Sequence, residues 1–256
     1  MKKIFAAFLM VAFFTGCATT AEMTGQGAPV KRDPAKARGE NSLGVSFLRR
    51  GLVTQALKKL LAAEEYDPEN AEIQNNLGLA YLAKKHYPEA IKHLKRALAL
   101  KKNFSDAHNN LGTVYLAMRR YPEALAEFND ALSDLLYATP HFAHNNIGLV
   151  YLEQGRYQQA IAAFKKSIEV APGYSVAYNN LGRAYMALGN YTKASEAFEK
   201  AVKYAPNFAI AYFNLAETYL KMGQAAKAKE TFKQVIKIAP NSTLSESARK
   251  RLREIP

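Results

Sequence analysis

The sequence predicts an all-α solenoid of six stacked helix hairpins with a terminal capping helix, and three observations carry that expectation. A Leu/Ile-Gly pair recurs at Leu43-Gly44, Leu77-Gly78, Leu111-Gly112, Ile147-Gly148 and Leu181-Gly182, with Leu215-Ala216 as a last copy, at intervals of 34, 34, 36, 34 and 34 residues. An aromatic follows four residues after each Leu or Ile: Phe47, Tyr81, Tyr115, Tyr151, Tyr185 and Tyr219. A small residue then recurs at Ala56, Ala90, Ala124, Ala160, Ala194 and Ala228, and four residues on comes Leu60, Leu94, Phe128, Phe164, Phe198 or Phe232. A fixed period of this length marks a solenoid.

Each element follows from helix packing. Leu, Gly and the aromatic share one face of a first helix, where Gly or Ala admits a close partner. The Ala and the Phe or Leu, four apart, share a stripe of the second helix. Pro88 and Pro122 suit the first turn of that second helix, and Pro68, Pro172, Pro206 and Pro240 stop it. The repeats are framed as 37–70, 71–104, 105–140, 141–174, 175–208 and 209–242. No hairpin can bury its apolar face alone, so stability must come from neighbours. Residues 243–254 carry Ser245, Glu246, Arg249, Lys250, Arg251 and Arg253, the polar outer face expected of a cap.

The motif L-G-x2-Y…A-x3-F…P, in six copies over about 37–242, resembles the tetratricopeptide repeat. The resemblance implies a right-handed superhelix whose first helices line a concave groove, with repeat positions two, five, six, nine and twelve facing it. Position six is Asn76, Asn110, Asn146, Asn180 and Asn214; position five is Asn75, Asn109, Asn145 and Asn179. Asn is an indifferent helix former, so its recurrence wants a cause. A carboxamide both donates and accepts. A row of them either pairs with the backbone of an extended peptide, as in other proteins of the family, or bridges adjacent helices. Selectivity is expected from position two (Glu72, Asp106, Phe142, Val176, Ile210) and from position nine, where Arg183 and Glu217 follow Leu79, Thr113 and Leu149. Position twelve adds Leu82, Leu116, Leu152, Met186 and Leu220. The Lys/Arg pattern of relatives that clamp a terminal carboxylate is not evident, so that ligand is not expected.

The chain has 256 residues, 49% apolar and 22% charged, and one Cys. This composition excludes disorder as the dominant state, and the lone thiol excludes an internal disulfide framework and any thiolate-rich metal site. Lys2 and Lys3, an apolar run from Ile4 to Phe14 and Thr15-Gly16 read as a secretory signal over 1–16. The run falls short of the ~20 residues that span a bilayer. Phe14-Thr15-Gly16-Cys17 resembles the lipobox of bacterial lipoproteins, with Phe where Leu is usual. The resemblance implies lipidation of Cys17 and, with Ala18 following, an outer-membrane address on the periplasmic face; a soluble secreted or periplasmic protein is the alternative. Residues 17–36 then serve as lipidated Cys and flexible tether. Removal of 1–16 leaves 33 basic and 22 acidic residues, a net +11. Export removes nucleic acid as a partner. Arg49-Arg50, Lys84-Lys85, Arg119-Arg120 and Arg156 fall in the turns between first and second helices. Stacking would align them as one basic edge, either against anionic lipid or an acidic partner, or simply solvated.

Repeat three carries two extra residues within Asp130–Pro140. The stretch Asp134-Leu135-Leu136-Tyr137, with the lipobox, the size and the six repeats, resembles the pilotin lipoproteins of type IV pilus biogenesis. That resemblance implies a monomeric scaffold that assists assembly and localisation of the outer-membrane secretin. A general envelope adaptor for peptidoglycan enzymes or proteases is the other binding reading. No catalytic residues, metal or cofactor are expected. The His residues are His86, His93, His108, His141 and His144, of which His108 and His144 occupy an aromatic packing slot at position four. No H-E-x-x-H, G-x-S-x-G or phosphate loop occurs.

Overall fold

The computed structural model describes residues 32–255, which form thirteen α-helices and, among them, no strand. The proposed leader, Cys17 and most of the tether lie outside the described residues. Six hairpins follow in order: α1 (Pro34–Arg49) with α2 (Val53–Tyr66), α3 (Ala71–Ala83) with α4 (Tyr87–Leu100), and α5 (Ser105–Ala117) with α6 (Tyr121–Ser133). Then come α7 (Pro140–Glu153) with α8 (Tyr157–Val170), α9 (Ser175–Ala187) with α10 (Tyr191–Tyr204), and α11 (Ala209–Lys221) with α12 (Ala225–Ile238). A last helix, α13 (Thr243–Glu254), packs on α11 and α12 as the first helix of a further repeat would.

The first helix begins three residues before the repeat frame. Pro34 occupies the first turn, where its missing N–H is no loss, and the Asp33 carboxylate caps the Lys36 N–H at 3.1 Å.

Odd helices end in one recurrent turn. The carbonyl of the repeat aromatic accepts the N–H five residues on: Leu52 to Phe47 (2.9 Å), His86 to Tyr81 (2.9 Å), Arg120 to Tyr115 (2.8 Å), and likewise to Tyr151, Tyr185 and Tyr219. Such a closure needs a left-handed residue just past the helix. Gly51, Gly155, Gly189 and Gly223 supply it at φ 71 to 72°, whereas Lys85 and Arg119 occupy it at φ 61° and 58°.

Within each hairpin the small residue of the odd helix receives the large residue of the even one. A Cβ on Gly148 would lie 2.5 Å from the Phe164 ring, and one on Gly78 would lie 2.5 Å from Leu94. Leu60, Leu94, Phe128, Phe164, Phe198 and Phe232 are fully buried, as are the six repeat alanines of the even helices.

Turns of three to six residues between helices of 12 to 16 force antiparallel neighbours. All odd-to-even turns therefore share one edge of the stack, and all even-to-odd turns share the other. Polar bonds tie the second edge across: Asp33 N–H to the Tyr66 carbonyl at 3.1 Å and Ser167 Oγ to the His141 carbonyl at 2.8 Å. Each odd helix also touches the next odd helix, while among the described residues no two even helices meet. In a curved stack the crowded row is the inner one, so the odd helices line the concave side.

Candidate peptide groove and its amide row

Along the inner row the asparagines pair with one another. Nδ2 of position six donates to Oδ1 of position five in the preceding repeat. Asn76 reaches Asn41 at 2.9 Å, Asn110 reaches Asn75 at 2.8 Å, and Asn146 reaches Asn109 at 3.0 Å. Asn180 reaches Asn145 and Asn214 reaches Asn179, both at 2.9 Å. Each rung joins residues 35 apart, except for 37 across the insertion in repeat three. Of the two readings open from sequence, the bridge between helices is the one realised by these ten groups.

What the row offers outward is correspondingly restricted. Asn75, Asn109, Asn145, Asn179 and Asn180 are buried, while Asn76, Asn110, Asn146 and Asn214 are half-buried. Asn180 Oδ1 accepts from Arg183 at 3.2 Å. Asn146 Nδ2 lies 3.4 Å from Thr113 Oγ1. Oδ1 of Asn76, Asn110 and Asn214 accepts no hydrogen bond from another described residue, so three half-open carbonyls face an incoming donor. In repeat six Phe213 replaces the position-five Asn, and its ring packs edge-on against Phe232 at 5.4 Å. The seam ends there. On the cap, Arg251 instead pairs with Glu217 at 2.8 Å and Glu254 at 3.2 Å.

Position twelve lies half-buried along the same helices, while Glu72, Asp106, Phe142, Ile210 and Arg183 are exposed. The row thus changes from acidic at its first repeats to apolar at its later ones.

A second polar series was not anticipated. Position four of an odd helix faces the residue nineteen further on in its even partner: Lys59 pairs with Glu40 at 2.9 Å, His93 Nδ1 meets Gln74 Oε1 at 2.8 Å, and His108 Nδ1 meets Glu127 Oε2 at 2.8 Å. In repeats four to six the same positions hold His144 and Ala163, Tyr178 and Ala197, and Tyr212 and Thr231, an aromatic ring and a small residue. His108 is therefore an ion-pair partner and not a packing residue. Its hydrogen bond to Glu127 raises its pKa above the ordinary value, against the lowering effect of burial. Burial lowers those of His93, His141 and His144. Asp130 stands beside the His108 pair, the three ligand-type atoms lying within 4.8 Å of one another. Among the described residues this is the one such group that has the donor set for a cation. His141 packs against Phe142 and Tyr174, with centroids 4.2 and 5.1 Å away.

The basic residues do share the odd-to-even edge. Arg120 pairs with Glu123 at 2.7 Å and covers the Tyr115 ring, and Arg156 covers Tyr151. Arg49, Arg50, Lys84, Lys85 and Arg119 are exposed and make no ion pair with a described residue.

A stack of hairpins with a concave inner row defines a repeat scaffold. Profiles of the tetratricopeptide repeat match residues 104–173, 139–207 and 174–241, and a further one matches 41–107. The chain belongs to the tetratricopeptide-repeat family, whose members serve as protein-interaction scaffolds. Among solved structures it is similar to PilW, described as a widely conserved type IV pilus biogenesis factor, at 25% identity and TM-score 0.72, covering 83% of this chain and 98% of that one. It is also similar in fold to PilF of Pseudomonas aeruginosa (21% identity, TM-score 0.68, 84% and 97% covered). YrrB, described as having an unusual peptide-binding site, shares the fold at 22% identity and TM-score 0.51, with 75% and 97% covered. No curated protein sequence matches the chain significantly.

Proposed function

We propose that this protein is a non-enzymatic, lipid-anchored scaffold of the outer membrane that holds a segment of another protein against its inner helices. Its role on this reading is that of a type IV pilus pilotin, assisting secretin assembly and localisation. The observation that carries it is the similarity in fold to PilW over nearly the whole of that chain. The lipobox at Cys17 and the two-residue insertion at Asp134–Tyr137 support the same reading.

The partner segment would be recognised by apolar contact at Phe142, Val176 and Ile210, by Arg183, and by donors offered to the free carbonyls of Asn76, Asn110 and Asn214. Each such bond contributes ~0.5–1.5 kcal/mol net, so affinity requires the apolar anchors as well. The test is deletion of the gene, with secretin multimers resolved by gel and membrane fractions separated. Multimers should be lost and restored by the wild-type chain, and Cys17→Ser should release the protein from the outer membrane. Unchanged multimers in the deletion strain would sink the pilotin role and leave the adaptor for peptidoglycan enzymes or proteases.

A further inference from the structure

The even-to-odd edge carries an apolar feature that the groove does not use. The two residues that repeat three has in excess fall in the turn between α6 and α7. There Leu135 is 98% exposed and Leu136 90%, the most exposed large apolar side chains of the described residues. The turn that presents them is fixed at both ends. The Asp134 carboxylate accepts from Ser105 Oγ at 2.6 Å and from the Leu136 N–H at 2.9 Å. The Tyr137 N–H donates to the Asp134 carbonyl at 3.1 Å, and the Tyr137 ring is buried beside Ala131, Ala143 and Leu132.

Two more exposed apolar side chains stand at helix ends on this edge, Val170 and Tyr204, which close α8 and α10. Arg49, Arg50, Lys84, Lys85 and Arg119, which make no ion pair with a described residue, occupy the opposite edge. The chain also reaches the repeats on the apolar side, because Asp33 is bonded to the end of α2. Arg32 follows Cys17 by fifteen residues, a span that cannot exceed about 50 Å.

We infer that this edge rests on a phospholipid bilayer, with Leu135 and Leu136 inserted at the boundary between headgroups and acyl chains. The inference rests on the lipid-anchored reading, in which the tether joins the repeats at this edge. A plane suits the arrangement better than a protein pocket does. The leucines project almost fully into solvent, and the other apolar groups are spread along successive repeats. Apolar groups buried at that depth bind by the area they remove from water, and tyrosine is at home at the headgroup level.

The chain contains no Trp, which permits a direct test in the chain from residue 17 onward, carrying Cys17→Ser. Leu135→Trp reports on the apolar edge and Leu188→Trp on the opposite one. With vesicles of phosphatidylethanolamine and phosphatidylglycerol, emission from L135W should move to shorter wavelength and be quenched by brominated acyl chains, while L188W stays unchanged. Leu135→Ser with Leu136→Ser should lower vesicle flotation about tenfold, with unchanged circular dichroism. An unmoved L135W spectrum, or equal shifts at both edges, would overturn the proposal. A shift of L135W with a soluble protein but not with vesicles would overturn it too and make the occupant a protein. The vesicles contain no secretin, so failure of the pilotin role leaves this result standing.

Discussion

The Asn180 side-chain amide donates to Asn145 Oδ1 at 2.9 Å across the joint of α9 and α7, and both residues are buried, at 4% and 3% exposure. This pair shows what the asparagine row does first. The buried rungs satisfy a donor and an acceptor that the close approach of two inner helices would otherwise leave dry, and each rung fixes the register between repeats. A partner peptide meets a surface whose amides are already oriented, which reduces what must be ordered on binding.

Asn180→Ala therefore strands the Asn145 acceptor and should destabilise the chain by ~1–3 kcal/mol, read as a lower urea midpoint. The half-buried outer rung tested by Asn76→Ala should cost less, since water can reach Asn41. The double variant Asn145→Ala with Asn180→Ala should lose less than the two single losses added together. Strict additivity would mean that the two amides do not act as a pair.

Gly148→Ala places a methyl group 2.5 Å from the Phe164 ring, which is fully buried and cannot withdraw. Overpacking of this kind costs ~1–3 kcal/mol. Gly39, inside α1, has nothing within 4 Å of its would-be Cβ, so Gly39→Ala should instead stabilise by about 0.5–1 kcal/mol. Thermal melts of both variants check the contrast. A Gly148→Ala chain as stable as wild type would show that the hairpin joint is looser than its distances state.

The hairpins, their order and the Gly-to-Phe contact were legible because the same residue types return at the same phase in every repeat. The ladder was half legible. Its row of asparagines was plain, but a carboxamide is donor and acceptor alike, so nothing in Asn146 alone selects Asn109 over a peptide. The selection needs the 35-residue interval that stacking imposes, stretched to 37 by the insertion. The pairs Glu40–Lys59, Gln74–His93 and His108–Glu127 left a usable signal, complementary groups nineteen residues apart in three successive repeats. The pattern stops at repeat three, because Ala163, Ala197 and Thr231 offer His144, Tyr178 and Tyr212 no charged partner at the same spacing. Leu135 and Leu136 could not be placed at all. An apolar pair is the commonest mark of a core, and only the turn held by Ser105 and Tyr137 turns it outward.

Lys85 and Arg119 hold left-handed backbone at φ 61° and 58°, where four other repeats use glycine. For a residue with a Cβ this conformation costs roughly 1–2 kcal/mol, partly offset by the greater freedom glycine has when unfolded. Lys85→Gly and Arg119→Gly should each stabilise the chain by about 0.5–1 kcal/mol, measured by denaturant unfolding. If both variants also lose a cationic-edge interaction such as binding to an acidic polymer, the strain is tied to function. A loss of stability in both would show that the side chains contribute more than the backbone conformation costs.

The His108–Glu127 ion pair gives stability a pH dependence whose sign is fixed. Glu127 accepts from the ring at 2.8 Å, Asp130 stands near, and the Lys102 carbonyl adds a further acceptor, so the folded pKa is raised above the ordinary histidine value. A histidine that gains a partner on folding contributes stability fully present below its unfolded pKa of about 6.5 and lost as pH rises through the folded value. His93 acts oppositely. Burial beside Gln74 and Tyr81 keeps it neutral, so its contribution holds above the unfolded value and fades as pH falls. The difference in unfolding free energy between wild type and His108→Gln should accordingly be larger at about pH 6 than at about pH 8.5, and that between wild type and His93→Gln larger at about pH 8.5 than at about pH 6. Urea titrations of the three proteins at the two pH values decide it. A wild-type advantage over His108→Gln that is the same at both would mean that the ring is held by shape and not by its charge.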